Sequence, residues 1–296
     1  MNHVMIGLLI MMTAGMFAHG FWKSRKHHHH HRSVGHKHGG SVLSVDYYAY
    51  ASHMRSWNAT FKVIFSMLCL LLCLILNNIY VSIAVILIMG YMTVVIGGLE
   101  LDHYISMLLI PIVFLLFGSA AIAVGFSWNP VGQYNLNVFG WFYIYCSQAS
   151  LWKASGLIFK ALGAVSALYM MTLTTPLSEL IVVLRKAHIP KVIIELMNMI
   201  YRYIFIMLDT HSRMKNSAEA RLGYVDFKTS CYSFGQVASN LLIVSLKRGT
   251  DYYNALESRC YNGDLQFLEE EKPIRKNQVA GAAVVVALLI LIKIGA

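Results

Sequence analysis

The sequence predicts an all-α, polytopic membrane protein. It has about five core transmembrane helices, one extra N-terminal helix, and long cytoplasmic helices between the last two spans. Three observations carry this. Of 296 residues, 57% are hydrophobic and only 13% are charged, whereas soluble domains carry about 25% charged residues. Six stretches (4–22, 60–76, 79–97, 104–125, 155–175 and 278–295) are apolar over roughly the 20 residues that a helix needs to cross a bilayer. All but three of the 24 lysines and arginines fall in residues 23–62 or 176–277, the exceptions being Lys153, Lys160 and Lys293.

That charge bias orients the chain. Positive loops stay on the cytoplasmic side, so 23–62 and 176–277 are expected there. Residues 126–154, with one lysine and many aromatics (Trp128, Tyr134, Phe139, Trp141, Phe142, Tyr143, Tyr145, Trp152), are expected to face outward. The net charge of +10 would suit nucleic acid, but it sits beside apolar spans, where a membrane surface or a partner is the better target.

The elements follow in order. The stretch 4–22 is followed, not preceded, by basic residues, the reverse of a secretory signal peptide. It is expected to span with its N-terminus outside, the alternative being an interfacial helix. The second and third spans are separated only by Asn77-Asn78, a tight polar turn, and form a hairpin with no charged residue between Val63 and Leu99. Thr174-Thr175-Pro176 ends the fifth span, and Pro176 suits the first turn of a new helix. Leu177, Leu180, Ile181 and Leu184 then keep helical spacing, with Arg185 and Lys186 favourable at the helix end. After Pro190 the apolar residues Ile193, Leu196, Met197, Ile200, Ile204, Met207 and Leu208 define one face, with Glu195, Asn198, Arg202 and Asp209 off it. This helix is expected to run to Leu222 with Gly223 as its stop. A third segment, about 231–262, ends before Gly263. The expected divisions are 1–41 (extra helix and histidine-rich loop), 42–175 (transmembrane helices), 176–277 (cytoplasmic helices) and 278–296 (last span).

Within the polar stretch two segments echo each other, Ser217-Ala218-Glu219-Ala220-Arg221 and Ala255-Leu256-Glu257-Ser258-Arg259, their arginines 38 residues apart. A basic residue in a last helical turn is ordinary helix-end chemistry. The repetition, and the small residues beside each arginine, argue for more. A guanidinium fork approached closely can pair with carboxylates or carbonyls of a partner groove, with Glu219 and Glu257 near the same surface to orient it.

These residues resemble the transmembrane T component of energy-coupling factor transporters, closest to the cobalt/nickel branch of CbiQ type. That family carries two Ala-Arg-Gly-like triplets, each at the end of a cytoplasmic coupling helix. Here they read Ala220-Arg221-Leu222 and Ser258-Arg259-Cys260, departing at the third position in both and at the first in the second. Asp46-Tyr47-Tyr48-Ala49-Tyr50 with Asn58-Ala59-Thr60-Phe61-Lys62 is similar to the family's entry into its first core helix. Thr174-Thr175-Pro176 and Ile189-Pro190 match its approach to the coupling helices. Met199-Ile200-Tyr201-Arg202-Tyr203-Ile204-Phe205 and Tyr261-Asn262-Gly263-Asp264-Leu265 add to the likeness, which covers about residues 42–296.

The resemblance implies a non-catalytic subunit in a prokaryotic cell membrane. Its coupling helices would sit on two ATPase subunits, with Arg221 and Arg259 each docking one. Its membrane helices would hold a substrate-binding membrane subunit, with a small accessory membrane subunit as a further partner. ATP and Mg would be bound by the partners, and cobalt or nickel would be the cargo. The chain itself is expected to bind no cofactor and no nucleic acid. It has no Gly-x-x-x-x-Gly-Lys-Ser/Thr phosphate loop, no paired carboxylates or nucleophile constellation, and no Cys-x-x-Cys pattern among its five cysteines. Cys69 and Cys73 share a helix face as packing residues. The core spans offer only Lys160 and Lys293 as ionisable groups, both near ends where they snorkel, against the expectation for a solitary ion carrier.

His27, His28, His29, His30 and His31, then His36 and His38, form a tract whose imidazoles suit nickel, cobalt, zinc and copper. It reads as a metal-handling loop, as a solvated low-complexity linker, or as a run introduced for purification. His3 and His19 would extend a metal path. Two other functions compete with coupling: a self-sufficient metal carrier or channel, and a membrane-anchored sensor or scaffold. A T component serving a vitamin-binding subunit is a variant of the first reading.

Overall fold

The computed structural model describes residues 41–127, 134–138, 142–146, 148–262 and 272–295. The expected span at 4–22 and the histidine tract lie outside them. The described residues are helical apart from one small sheet, and five helices are long and apolar enough to cross a membrane. They fall into two compact units, one built on 45–176 and 272 onward, the other on 177–271.

α1 (Ser41–Ala51), which belongs to the first unit from Val45 on, leads through a short 3₁₀ turn (His53–Ser56) to α2 (Ala59–Leu76). Asn58 starts α2, its side-chain oxygen accepting the backbone N–H groups of Thr60 and Phe61 at 2.9 and 3.3 Å. That satisfies donors which the first helical turn otherwise leaves unpaired. The same side chain donates to the Lys272 carbonyl at 2.6 Å, tying the start of α2 to the approach of the last helix. The Asn77-Asn78 turn forms as expected. Asn77 takes a left-handed conformation at φ 43°, and Asn78 caps α3 (Ile79–Tyr91) by accepting from the Tyr80 N–H at 3.0 Å. Asparagine tolerates the first role and is favoured in the second.

Helix α3 widens into a π turn at Met92–Ile96. α4 (Leu101–Ala123) carries Pro111 in its interior. Its residues Ile110, Phe114 and Phe117 are each 76% exposed, as suits a helix flank turned to lipid. Between α4 and α5 the structure adds what the sequence reading did not anticipate, a three-stranded antiparallel sheet of β1 (Val124–Ser127), β2 (Tyr134–Val138) and β3 (Phe142–Cys146), with β3 in the middle. The alternation Tyr-Asn-Leu-Asn-Val and the run Phe-Tyr-Ile-Tyr favour strands. α5 (Gln148–Thr174) starts seven residues before the expected 155, and α9 (Lys276–Gly295) closes the unit.

α5 is the central helix, packing against α2, α3 and α4. The core gathers Phe65, Cys69, Cys73, Val81, Val85, Met89, Ala167, Met170 and Leu289. Gly163 permits this closeness: a Cβ there would meet the Cys73 sulfur at 2.8 Å and the Ser82 carbonyl at 3.3 Å. Tyr169 adds a hydrogen bond to the Met107 carbonyl across to α4 at 3.0 Å.

One expectation about charge is corrected. Lys62, assigned to the charged stretch before the hairpin, lies inside α2 and is fully buried. Its Nζ donates to the Thr174 carbonyl, at the end of α5, at 2.7 Å. The expected span 60–76 already contains it, so Lys62 joins Lys160 and Lys293 among the ionisable groups of the core spans. Lys160, expected near a span end, lies in the middle of α5, and its Nζ donates to the Asn77 side-chain oxygen at 3.1 Å.

The second unit is α6 (Leu177–Lys186), α7 (Lys191–Ala220) and α8 (Phe227–Glu257). α6 buries Ile181 and ends on Arg185 and Lys186, as its spacing predicts. On α7 the apolar face that the spacing predicts includes exposed residues, Ile193, Leu196, Ile200 and Ile204 being 36–58% exposed, while Ile194 and Glu195 are buried. Periodicity marks an apolar flank but does not say whether this chain or another covers it.

Candidate partner-docking site

Helix α7 ends at Ala220, and Arg221 is its C-cap. The next residue, Leu222, is left-handed at φ 59°. Its N–H bonds to the Glu219 carbonyl at 3.0 Å, and the Gly223 N–H bonds to Ala218 at 2.9 Å. These two bonds make a Schellman ending, which satisfies carbonyls the helix end would otherwise leave unpaired. Gly223 is therefore not the left-handed stop that the sequence suggested. Its role is closeness, since a Cβ there would lie 2.6 Å from the Ser233 hydroxyl at the start of α8.

Helix α8 ends in the same way. Cys260 is left-handed at φ 58°. Its N–H bonds to the Glu257 carbonyl at 3.0 Å, and the Tyr261 N–H bonds to Leu256 at 3.1 Å. Arg259 thus holds the position in its turn that Arg221 holds in the other. The two departures from the glycine of the resembling triplets, Leu222 and Cys260, keep the backbone conformation for which glycine is suited.

Arg221, Leu222, Ser258, Arg259 and Cys260 are all exposed, as are Glu219, Ala220 and Glu257. Among the described residues no ion pair joins Glu219 to Arg221 or Glu257 to Arg259, so the fork-orienting role expected of those glutamates is not formed within this chain. Both guanidiniums are open to a partner, next to small or apolar neighbours.

The two ends are far apart. Tyr261, two residues past Arg259, donates its hydroxyl to the Glu195 carboxylate in the second turn of α7 at 2.7 Å. The Tyr203 and Tyr252 rings meet edge to face further along, at 5.7 Å. α8 therefore runs back along α7, and its end lies near the start of α7. Glu195 and Arg221 are 26 residues apart, about 39 Å at 1.5 Å per residue. The two arginines thus lie at separate helix ends of like geometry, not in one cluster.

Sequence reasoning missed two residues that matter here. Glu195 was read as off-face, yet it is 4% exposed and anchors Tyr261. Lys62 was counted with the basic stretch 23–62, and its place inside the expected span 60–76 was the signal that it enters the helix. Among the described residues no three His, Cys, Asp or Glu side chains gather as a metal site. The seven histidines His27 to His31, His36 and His38 lie outside the described residues.

Five helices long and apolar enough to cross a membrane, with a three-helix unit besides, define a multi-pass membrane protein. Residues 51–270 match the family model described as cobalt transport protein, CbiQ, and the chain belongs to that family. It is 29% identical over 225 residues to an uncharacterized protein of Methanocaldococcus jannaschii, covering 76% of this chain and 83% of that one. It is 29% identical over 247 residues to a putative fused cobalt transport protein, CbiMQ, of Methanocorpusculum labreanum, covering 83% of this chain but 41% of the longer relative. The cobalt transport protein CbiQ of Salmonella typhimurium is 28% identical over 155 residues, covering 52% of this chain and 69% of that protein. The chain is thus a membrane component of a cobalt transporter family.

Proposed function

We propose that this chain is the transmembrane coupling subunit of an ATP-driven importer of energy-coupling factor type, with cobalt or nickel as cargo. The observation that supports the reading is the duplicated helix end: Arg221 and Arg259 each precede the left-handed residue of the same closing turn, about 40 Å apart along α7. Two equivalent, well-separated basic ends suit a pair of equivalent partners, and two ATPase subunits closing on ATP are such a pair. Cobalt is supported as the transported ion by the family description.

The mechanism follows from the proposed contacts. The arms, on the cytoplasmic side, would be moved by the ATPases, and α6 would carry that motion to the membrane helices. Those would tilt a substrate-binding membrane subunit and release its cargo inward. The fused relative supports a membrane partner for the chain. The exposed stripe of Ile193, Leu196, Ile200 and Ile204 supports a further contact on α7, because apolar patches of this kind mark interaction surfaces.

The test is co-purification. The wild-type chain, co-expressed with its ATPase and substrate-binding subunits, is expected to retain ATPases that are identified by mass spectrometry. The double variant Arg221→Glu, Arg259→Glu should release them while the chain stays in the membrane. ATPases retained by that variant would overturn the reading.

A further inference from the structure

Lys62, in the first turn of α2, is a fully buried lysine in the membrane unit, and α2 carries no other charge. Its bond to Thr174 links positions 112 residues apart. Thr174 lies in the last turn of α5. The Thr175 N–H closes that turn onto the Met171 carbonyl at 3.0 Å, and Thr174 folds its own hydroxyl back onto Met170 at 2.6 Å. Pro176 then has no N–H to extend the helix. Here the chain leaves the membrane unit and enters α6. Thr174, Thr175 and Pro176 are all buried. An ammonium at this point also lies at the negative end of the α5 dipole.

Taking an ammonium out of water is costly even when it is hydrogen-bonded, and an ionisable group inside a membrane span generally marks function. A second sign is the Thr175 hydroxyl, which is buried without a hydrogen-bond partner. Buried polar groups are nearly always paired, so this junction keeps one bond in reserve beside a cation that has a flexible stem.

We propose that Lys62 is a positioning residue that fastens the end of α5 to α2, so that displacement of α6 enters the membrane helices through the Lys62–Thr174 bond. Without it, the last turn of α5 yields locally and the motion is lost at Pro176. This inference rests on the coupling role proposed above.

The test uses the full chain with its ATPase and substrate-binding subunits in proteoliposomes, measuring ATP hydrolysis and radiolabelled cobalt uptake together. Lys62→Met is expected to assemble and to hydrolyse ATP within about threefold of wild type, while cobalt moved per ATP falls at least tenfold. Lys62→Gln keeps a donor without the charge and should fall between. Amide exchange in the isolated chain gives a readout independent of transport: Thr174 and Thr175 should exchange at least tenfold faster in Lys62→Met, with the middle of α2 unchanged. Wild-type uptake per ATP in Lys62→Met, or unchanged exchange at Thr174 and Thr175, overturns the inference. Should Lys62→Met fail to accumulate, a wild-type ratio and wild-type exchange in Lys62→Gln do the same. Failure of the wild-type chain to retain ATPases would instead remove the coupling reading beneath it.

Discussion

Leu222 and Cys260 hold the same left-handed backbone position, at φ 59° and 58°, one residue after Arg221 and Arg259. The left-handed conformation costs a residue with a Cβ roughly 1–2 kcal/mol, against which glycine's extra unfolded-state freedom offsets up to about 1 kcal/mol. Leu222→Gly and Cys260→Gly should each stabilise their helix end by about 0.5–1 kcal/mol, read as slower amide exchange over the last turn of α7 or α8. ATPase retention should persist, because the arginine geometry is unchanged. Faster exchange in either variant would show that the side chain, not the backbone, holds the turn.

The bond between Tyr261 and Glu195 brings the end of α8 to the start of α7. Tyr261→Phe removes the donor from a carboxylate that is almost wholly buried. The expected cost is about 1–3 kcal/mol, seen as increased proteolysis or exchange at both helix ends. In a Glu195→Gln background the same substitution should cost less, since the two residues act through one contact. Equal costs in both backgrounds would mean that the bond contributes nothing.

Two glycines of α5 should respond with opposite sign. Gly163 faces Cys73 and Ser82 too closely for a Cβ, whereas nothing lies within 4 Å of a Cβ built on Gly156. Gly163→Ala should lower thermal stability in detergent by about 1–2 kcal/mol through overpacking. Gly156→Ala should raise it by up to about 1 kcal/mol through helix propensity.

Much of this architecture was legible before the structure. The apolar runs located the five described spans because a helix in lipid must satisfy its own backbone groups, which leaves a long uninterrupted signature. Asn77-Asn78 was readable because two adjacent asparagines between such runs match the end of one helix and the cap of the next. The repeated pattern around Arg221 and Arg259 found the helix ends themselves. What stayed hidden depends on the third dimension. Lys62 looks like any flanking lysine until Thr174, 112 positions away, is brought to it. The direction of the α7 face was not readable, because an apolar stripe obeys helical spacing whichever molecule covers it. The stop at Leu222 was credited to Gly223 because residue type is a weaker guide than the bond pattern that closes the turn.

The outward stripe on α7 has a consequence for how the cell must make this protein. A copy synthesised without its companions displays Ile193, Leu196, Ile200 and Ile204 to whatever it meets, including other copies of itself. If the proposed partners cover that flank, surplus chains are expected to clump or be cleared by proteolysis, and production is then matched in number to those partners.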